Sequence, residues 1–178
     1  MMAVEKVLLL GSKKMKKYLT KYEFRWAIII LMLSLLWTAF EYEMGWHDRN
    51  FVYHRYFTFL FIIPFTLSYW LFLLDKKSHR FKKKFRYRHA FNSGMGLTIL
   101  VALFTIPTQF LIHYLVTPDY LTEAQNYSVK SGELTTIRAR DLYTITNFVI
   151  LFPILYLLLG ILLSMIFGST MTQKSSRR

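Results

Sequence analysis

Long runs of uncharged apolar residues alternate with short polar or basic segments along this chain, and each run has the length of a helix that could cross a bilayer. Trp26 to Phe40 is fifteen residues without a charge, ~22 Å as a helix, against a hydrocarbon core of ~30 Å. Arg25 can snorkel at one end and Trp46 can anchor in the interface at the other, so the first span is read as about residues 24–44, with Glu41 and Glu43 at its far end. Tyr56 to Leu74, nineteen uncharged residues or ~28 Å, is the second span. Pro64 lies within it, which frees the carbonyl of Leu60 and predicts a kink. The third span is read as about 90–116 and the fourth as about 144–168, with Pro153 inside. The pattern predicts an all-α polytopic membrane protein, a bundle of four transmembrane helices. Residues 24–173 would form one transmembrane domain, between a basic segment at 1–23 and a basic tail at 174–178.

Between the third and fourth spans, Thr117-Pro118-Asp119 reads as a helix start, with Thr as cap and Pro at the first position. That short helix should end near Gly132, and a second should run from Thr135 into the last span. Tyr120, Leu121 and Ala124 give it one apolar side. At the N-terminus, Val4, Val7, Leu8 and Leu10 allow a short interfacial helix or a frayed basic tail. No cleavable signal peptide is expected there, because the leading apolar run is short and the lysines follow it.

Charge sets the expected orientation. The net charge is +13, held in clusters that flank the apolar runs. The N-terminal segment through Arg25, the loop Asp75–His89 and the tail together hold 18 of the 23 lysines and arginines; Arg49, Arg55, Lys130, Arg138 and Arg140 lie on the opposite side. The positive-inside rule then places both termini and the basic loop in the cytoplasm. Lys76, Lys77, Arg80, Lys82, Lys83, Lys84, Arg86 and Arg88 are the expected contacts to anionic lipid headgroups, at about 1 kcal/mol per charge near the surface. Membrane lipids are thus the expected partner, and nucleic acid is not. The chain has no cysteine, which excludes disulfides, thiolate metal sites and catalytic thiols.

Two small-residue faces recur at four-residue spacing: Gly94, Thr98 and Ala102 in the third span, and Gly160, Ser164 and Gly168 in the fourth. Small residues let helices approach closely where lipid tails supply no hydrophobic drive, so these faces should meet each other or form a homo-oligomer seam. The third span also carries Thr105, Gln109 and His113 on one side, with Glu41, His54 and Asp119 at the matching ends of other elements. Together they define a candidate polar chamber on the outer side, serving either helix packing by hydrogen bonds or a substrate or ion site. His47, His54 and His113 with Glu41 or Glu43 have metal-ligating types, but their spacing matches no ligand pattern, and no metal or cofactor is assigned. No Asp, Glu, Lys or Arg sits at the centre of a span, and no phosphate-binding loop, GxSxG or HExxH occurs. No catalytic residue is identified, and the chain is not expected to be an enzyme.

The succession HRYFTFLFIIPFTLSYWLFLLDKK, a basic loop ending in HAFNSG, and PTQFLIHYLVTPDYLTEAQNYSVKSGELT before a final apolar span resembles a family of small bacterial four-helix membrane proteins. That family is known only as domain-of-unknown-function family forty-one ninety-nine. The likeness covers roughly residues 24–173, and Pro107-Thr108-Gln109 followed by Thr117-Pro118-Asp119-Tyr120 is its most specific part. It implies a multi-pass protein of the bacterial inner membrane with the long loop in the periplasm, where the sequon Asn126-Tyr127-Ser128 would be idle. It carries no activity to transfer. The expected role is an accessory or scaffold subunit of a larger membrane complex. The alternative is a small transporter or channel using the polar chamber.

Overall fold

The computed structural model describes residues 20–47, 51–81 and 85–171, the Arg55 side chain excepted. The expectations placed on the basic N-terminal stretch, on Lys82, Lys83 and Lys84, and on the tail lie outside these residues.

Backbone groups in hydrocarbon must all be satisfied within the protein, and the described residues answer with helices and no strand. Helix α1 is Lys21–Glu43. The second span is α2, Phe51–Leu60, and α3, Ile62–Lys76, continued by a π-helical turn at Lys77–Phe81. Helix α4, Tyr87–Leu111, also ends in a π-helical turn, Ile112–Val116. Two short helices follow, α5 (Tyr120–Lys130) and α6 (Thr136–Leu142), and α7 is Ile145–Met171. Four of these stretches, Lys21–Glu43, Phe51–Phe81, Tyr87–Val116 and Ile145–Met171, are long and apolar enough to cross a membrane. The third is the post of the bundle: 56% of its most apolar stretch is buried, against 17–28% in the others. Helix α7 lies along it, and α1 packs on it from another side.

The kink in the second span falls one turn before Pro64. The chain turns at Phe61, whose N–H reaches the Thr58 carbonyl (3.1 Å), and Phe65 N–H bonds back to Phe61 (3.1 Å). Pro64 thereby sits in the first turn of α3, where a missing N–H costs little. The reading of Thr117 as a helix cap is corrected. Its N–H and hydroxyl both return to the Ile112 carbonyl (2.8 and 3.3 Å) and close the π-helical turn, and α5 starts only at Tyr120, after Asp119. Helix α6 likewise stops short of the last span. The Thr144 hydroxyl accepts from Asn147 N–H at the head of α7 (3.3 Å).

Core side chains come from all four spans, including Ala27 and Ile30, Phe65, Phe72 and Leu73, Leu97 and Val101, and Leu163. Gly94, Thr98, Gly160, Ser164 and Gly168 lie on the α4–α7 contact. A Cβ on Gly160 would stand 2.5 Å from Thr98 Cγ2, and one on Gly94 would stand 2.6 Å from the Tyr69 hydroxyl. Gly168 faces the Tyr87 ring, at 3.1 Å. Tyr69 of α3 inserts its hydroxyl between the two helices, within reach of Thr98 Oγ1 (3.0 Å), the Gly160 carbonyl (3.1 Å) and Ser164 Oγ (2.5 Å). Thr98 and Ser164 meanwhile donate to the Gly94 and Gly160 carbonyls of their own helices (2.9 and 2.7 Å). One hydroxyl thus fastens three spans.

At the basic end, the first residues of the Asp75–His89 loop turn inward. Asp75 pairs with Arg25 and accepts from Trp26 Nε1 (2.8 Å). Lys77 Nζ donates to the Met171 carbonyl (3.0 Å). Lys76, expected at the headgroups, is instead fully buried and ion-paired with the equally buried Glu23. Glu23 is held in turn by the backbone N–H and hydroxyl of Thr20 (2.8 and 2.5 Å). Arg80, Arg86 and Arg88 are exposed.

Candidate ligand chamber

The opposite end of the bundle, where α1 turns into α2 and α4 turns into α5, encloses a cavity of about 610 Å³. Its position follows from three local breaks in helical regularity. The first is the end of α1. Gly45 adopts a positive φ of 69°, its N–H bonds to Tyr42 O (2.9 Å), and Trp46 N–H bonds to Glu41 O (3.1 Å). This is a Schellman ending, which turns the chain back on the helix and sets His47 beside Glu41. The second is the break at Phe61, which leaves His54 and Thr58 on their own short helix. The third is the π-helical turn that carries His113; such turns shift a side chain out of the helical register and often mark functional sites.

Glu41 is the hub, with 2% of its surface exposed. Its Oε1 accepts from Trp37 Nε1 and from the Thr58 hydroxyl, both at 2.9 Å. Its Oε2 faces two imidazoles, His47 Nε2 at 3.4 Å and His54 Nδ1 at 3.7 Å. His54 Nε2 meets the Tyr120 hydroxyl at 3.0 Å. The His47 and His54 rings stand perpendicular with centroids 4.6 Å apart. Tyr120 also stacks on His113, at 5.8 Å. Burial holds the Tyr120 hydroxyl above its usual range, with Tyr143 and Glu41 adding to the effect, so it serves as a neutral hydrogen-bonding group. Three buried ring nitrogens make no hydrogen bond, His47 Nδ1 and both nitrogens of His113. Buried polar groups are rarely left so.

Below this polar cap the walls are apolar, with Phe61, Phe65, Phe152, Tyr156 and Leu159 among them. The cavity has a side opening. Phe59 and Ile62 of the second span and Leu155 and Leu158 of α7 line it while remaining exposed, Phe59 at 75% and Leu158 at 60%. The mouth therefore faces the hydrocarbon surroundings.

Of the residues assigned to a polar chamber from sequence, Glu41, His54, Gln109 and His113 line the cavity. Thr105 and Asp119 do not, which corrects that assignment. Thr105 spends its hydroxyl on the Val101 carbonyl (2.7 Å) one turn back, and Asp119 is exposed at the start of α5. Glu43, weighed beside Glu41, is also exposed. Tyr120, Thr58 and Trp37 line the site without having been singled out for it. Trp37 and Thr58 could have been found from sequence. The first lies one turn from Glu41, and the second one turn from His54.

Residues 25–173 match the model of a family described as Protein of unknown function (DUF4199), and the chain belongs to that family. No curated protein and no solved structure matches it.

Proposed function

We propose that this protein is a non-enzymatic binding protein of the membrane, whose chamber takes up an amphiphile from the surrounding bilayer. The observation that carries this reading is a cavity with a polar cap, apolar walls and a mouth opening sideways between the second span and α7. Its volume falls within the ~300–1,000 Å³ usual for small-molecule pockets. The hydrocarbon part of a ligand would lie along Phe65, Tyr156 and Leu159, and its polar end would reach Glu41, His54 and Tyr120. A continuous pore has less support. Beyond Phe65 and Tyr156, the bundle is filled by Phe72, Leu73, Leu97 and Val101 and fastened at Tyr69.

Native mass spectrometry of the protein released from bilayers tests this reading. The expected result is a one-to-one adduct of amphiphile mass in the wild type, and its loss in Leu159→Trp, which fills the wall. Equal spectra for the two proteins, with or without an adduct, would count against it.

The lateral mouth also favours a second reading, as an accessory subunit. The groove between Phe59 and Leu158 would then hold an apolar helix of a larger membrane complex. A stoichiometric partner retained in mild detergent, and lost in Leu158→Arg, supports that role.

A further inference from the structure

We infer that Glu41, His47 and His54 form a site for a divalent transition metal of the zinc class at the polar cap of the chamber. The inference rests on the reading of that chamber as a binding site and names what its polar end holds. One ligand atom from each of the three residues lies within 4.8 Å of the other two. Two imidazoles and a carboxylate are a donor set that zinc accepts, with bonds of about 2.0–2.2 Å. A tetrahedron with such bonds has edges of about 3.3–3.6 Å. The Oε2 to His47 Nε2 and His54 Nδ1 distances, 3.4 and 3.7 Å, already lie close to that.

The surroundings are arranged as a metal's outer shell would be. Trp37 and Thr58 hold Oε1 and leave Oε2 turned toward the imidazoles. Tyr120 holds His54 by the ring nitrogen remote from Glu41, which fixes the ring orientation. The ligands come from the end of α1, its Schellman turn and α2, so an ion would tie the first two spans together.

An independent observation points to a ligand here. His47 and His113 are 97% and 94% buried, yet His47 Nδ1 and both His113 nitrogens lack a hydrogen-bond partner. A simple Glu41–imidazolium pair leaves those atoms unexplained. A cation carrying water or an anionic ligand in its remaining positions would offer a partner to His113, which lines the same chamber. A buried carboxylate also needs a nearby positive group, and the ionic partners of Glu41 among the described residues are the two imidazoles alone.

The test uses the full-length chain, purified without a histidine tag, stripped with chelator and titrated with ZnCl₂ and CoCl₂. One equivalent of Zn²⁺ is expected, and Co²⁺ should give visible absorption bands of a four- or five-coordinate site. Both should be lost in His47→Ala and in Glu41→Gln, and kept in His79→Ala at the exposed basic end. Thr58→Val, which frees Oε1, should weaken binding about 10–100-fold. Circular dichroism and gel filtration identify variants that do not fold. Glu41→Gln keeps the shape of the side chain, and so serves if His47→Ala fails. Absence of stoichiometric binding by the wild type, or binding unchanged in folded His47→Ala and Glu41→Gln, overturns the site. The adduct read by mass spectrometry with Leu159→Trp is a separate measurement, so failure of the metal leaves the amphiphile reading to stand or fall by its own result.

Discussion

Lys76 shows how far a single side chain can depart from the run it belongs to. Arg80, Arg86 and Arg88 of the same loop are exposed, whereas Lys76 is buried with Glu23 as its counter-charge. Removing one partner of such a pair strands the other, at a cost of about 3–5 kcal/mol, while replacing both with apolar residues is often close to neutral. Lys76→Met should therefore lower the thermal midpoint in detergent markedly, and Glu23→Leu combined with Lys76→Met should restore most of it. Equal losses in the single and double variants would show that the pair is not coupled. The pairing was not legible beforehand, because the two residues are separated by two spans and neither carries a local signal. Gly45 is the second decisive position. At φ 69° a side chain costs about 1–2 kcal/mol, so Gly45→Ala should destabilise the protein by about that amount and loosen His47 from Glu41. Thermal melting together with the Zn²⁺ titration measures both.

At the level of elements, the four spans were legible from run length, since a long uncharged run can satisfy its own backbone in hydrocarbon only as a helix. Their ends were not. The second span starts at Phe51, ahead of the uncharged run, and carries through Asp75 and Lys76 because each of those charges finds a partner. The chamber was legible where a polar residue interrupts an apolar helix, as at Gln109 and His113. Tyr120 came from a connection, where its place on an apolar side did not say which cavity that side would cover. His47 had been weighed as a metal ligand, but its spacing from Glu41 and His54 crosses a turn and so showed no pattern. The α4–α7 contact gives a graded expectation. Gly160 has no room for a methyl group beside Thr98, whereas Gly168 meets only a ring edge at 3.1 Å. Gly160→Ala should cost about 1–3 kcal/mol, as overpacking does, and Gly168→Ala clearly less. Unfolding in graded denaturing detergent ranks the two, and a reversed order would remove Gly160 from the seam.

For the whole molecule, the charge distribution supports an orientation with the basic end in the cytoplasm and the chamber on the far side. Arg80, Arg86 and Arg88 would then meet the anionic inner leaflet. A reporter active only outside the cytoplasm should work when fused at Gly132, and should fail when fused at Lys83 or Arg178. The opposite pattern would invert the molecule and place the chamber mouth toward the inner leaflet.

The break at Phe61 has a mechanical consequence for this arrangement. It divides the second span into a part fastened at Tyr69 and a short lever, Phe51–Leu60, that carries His54, Thr58 and Phe59. A small backbone rotation at Phe61 would tilt the lever and change the aperture beside Phe59 while the three-helix fastening stayed as it is. One wall of the chamber is thus fastened at Tyr69, and the other would follow the backbone at Phe61. The width of the entrance and the stability of the bundle then answer to different residues, and selection could adjust either one alone.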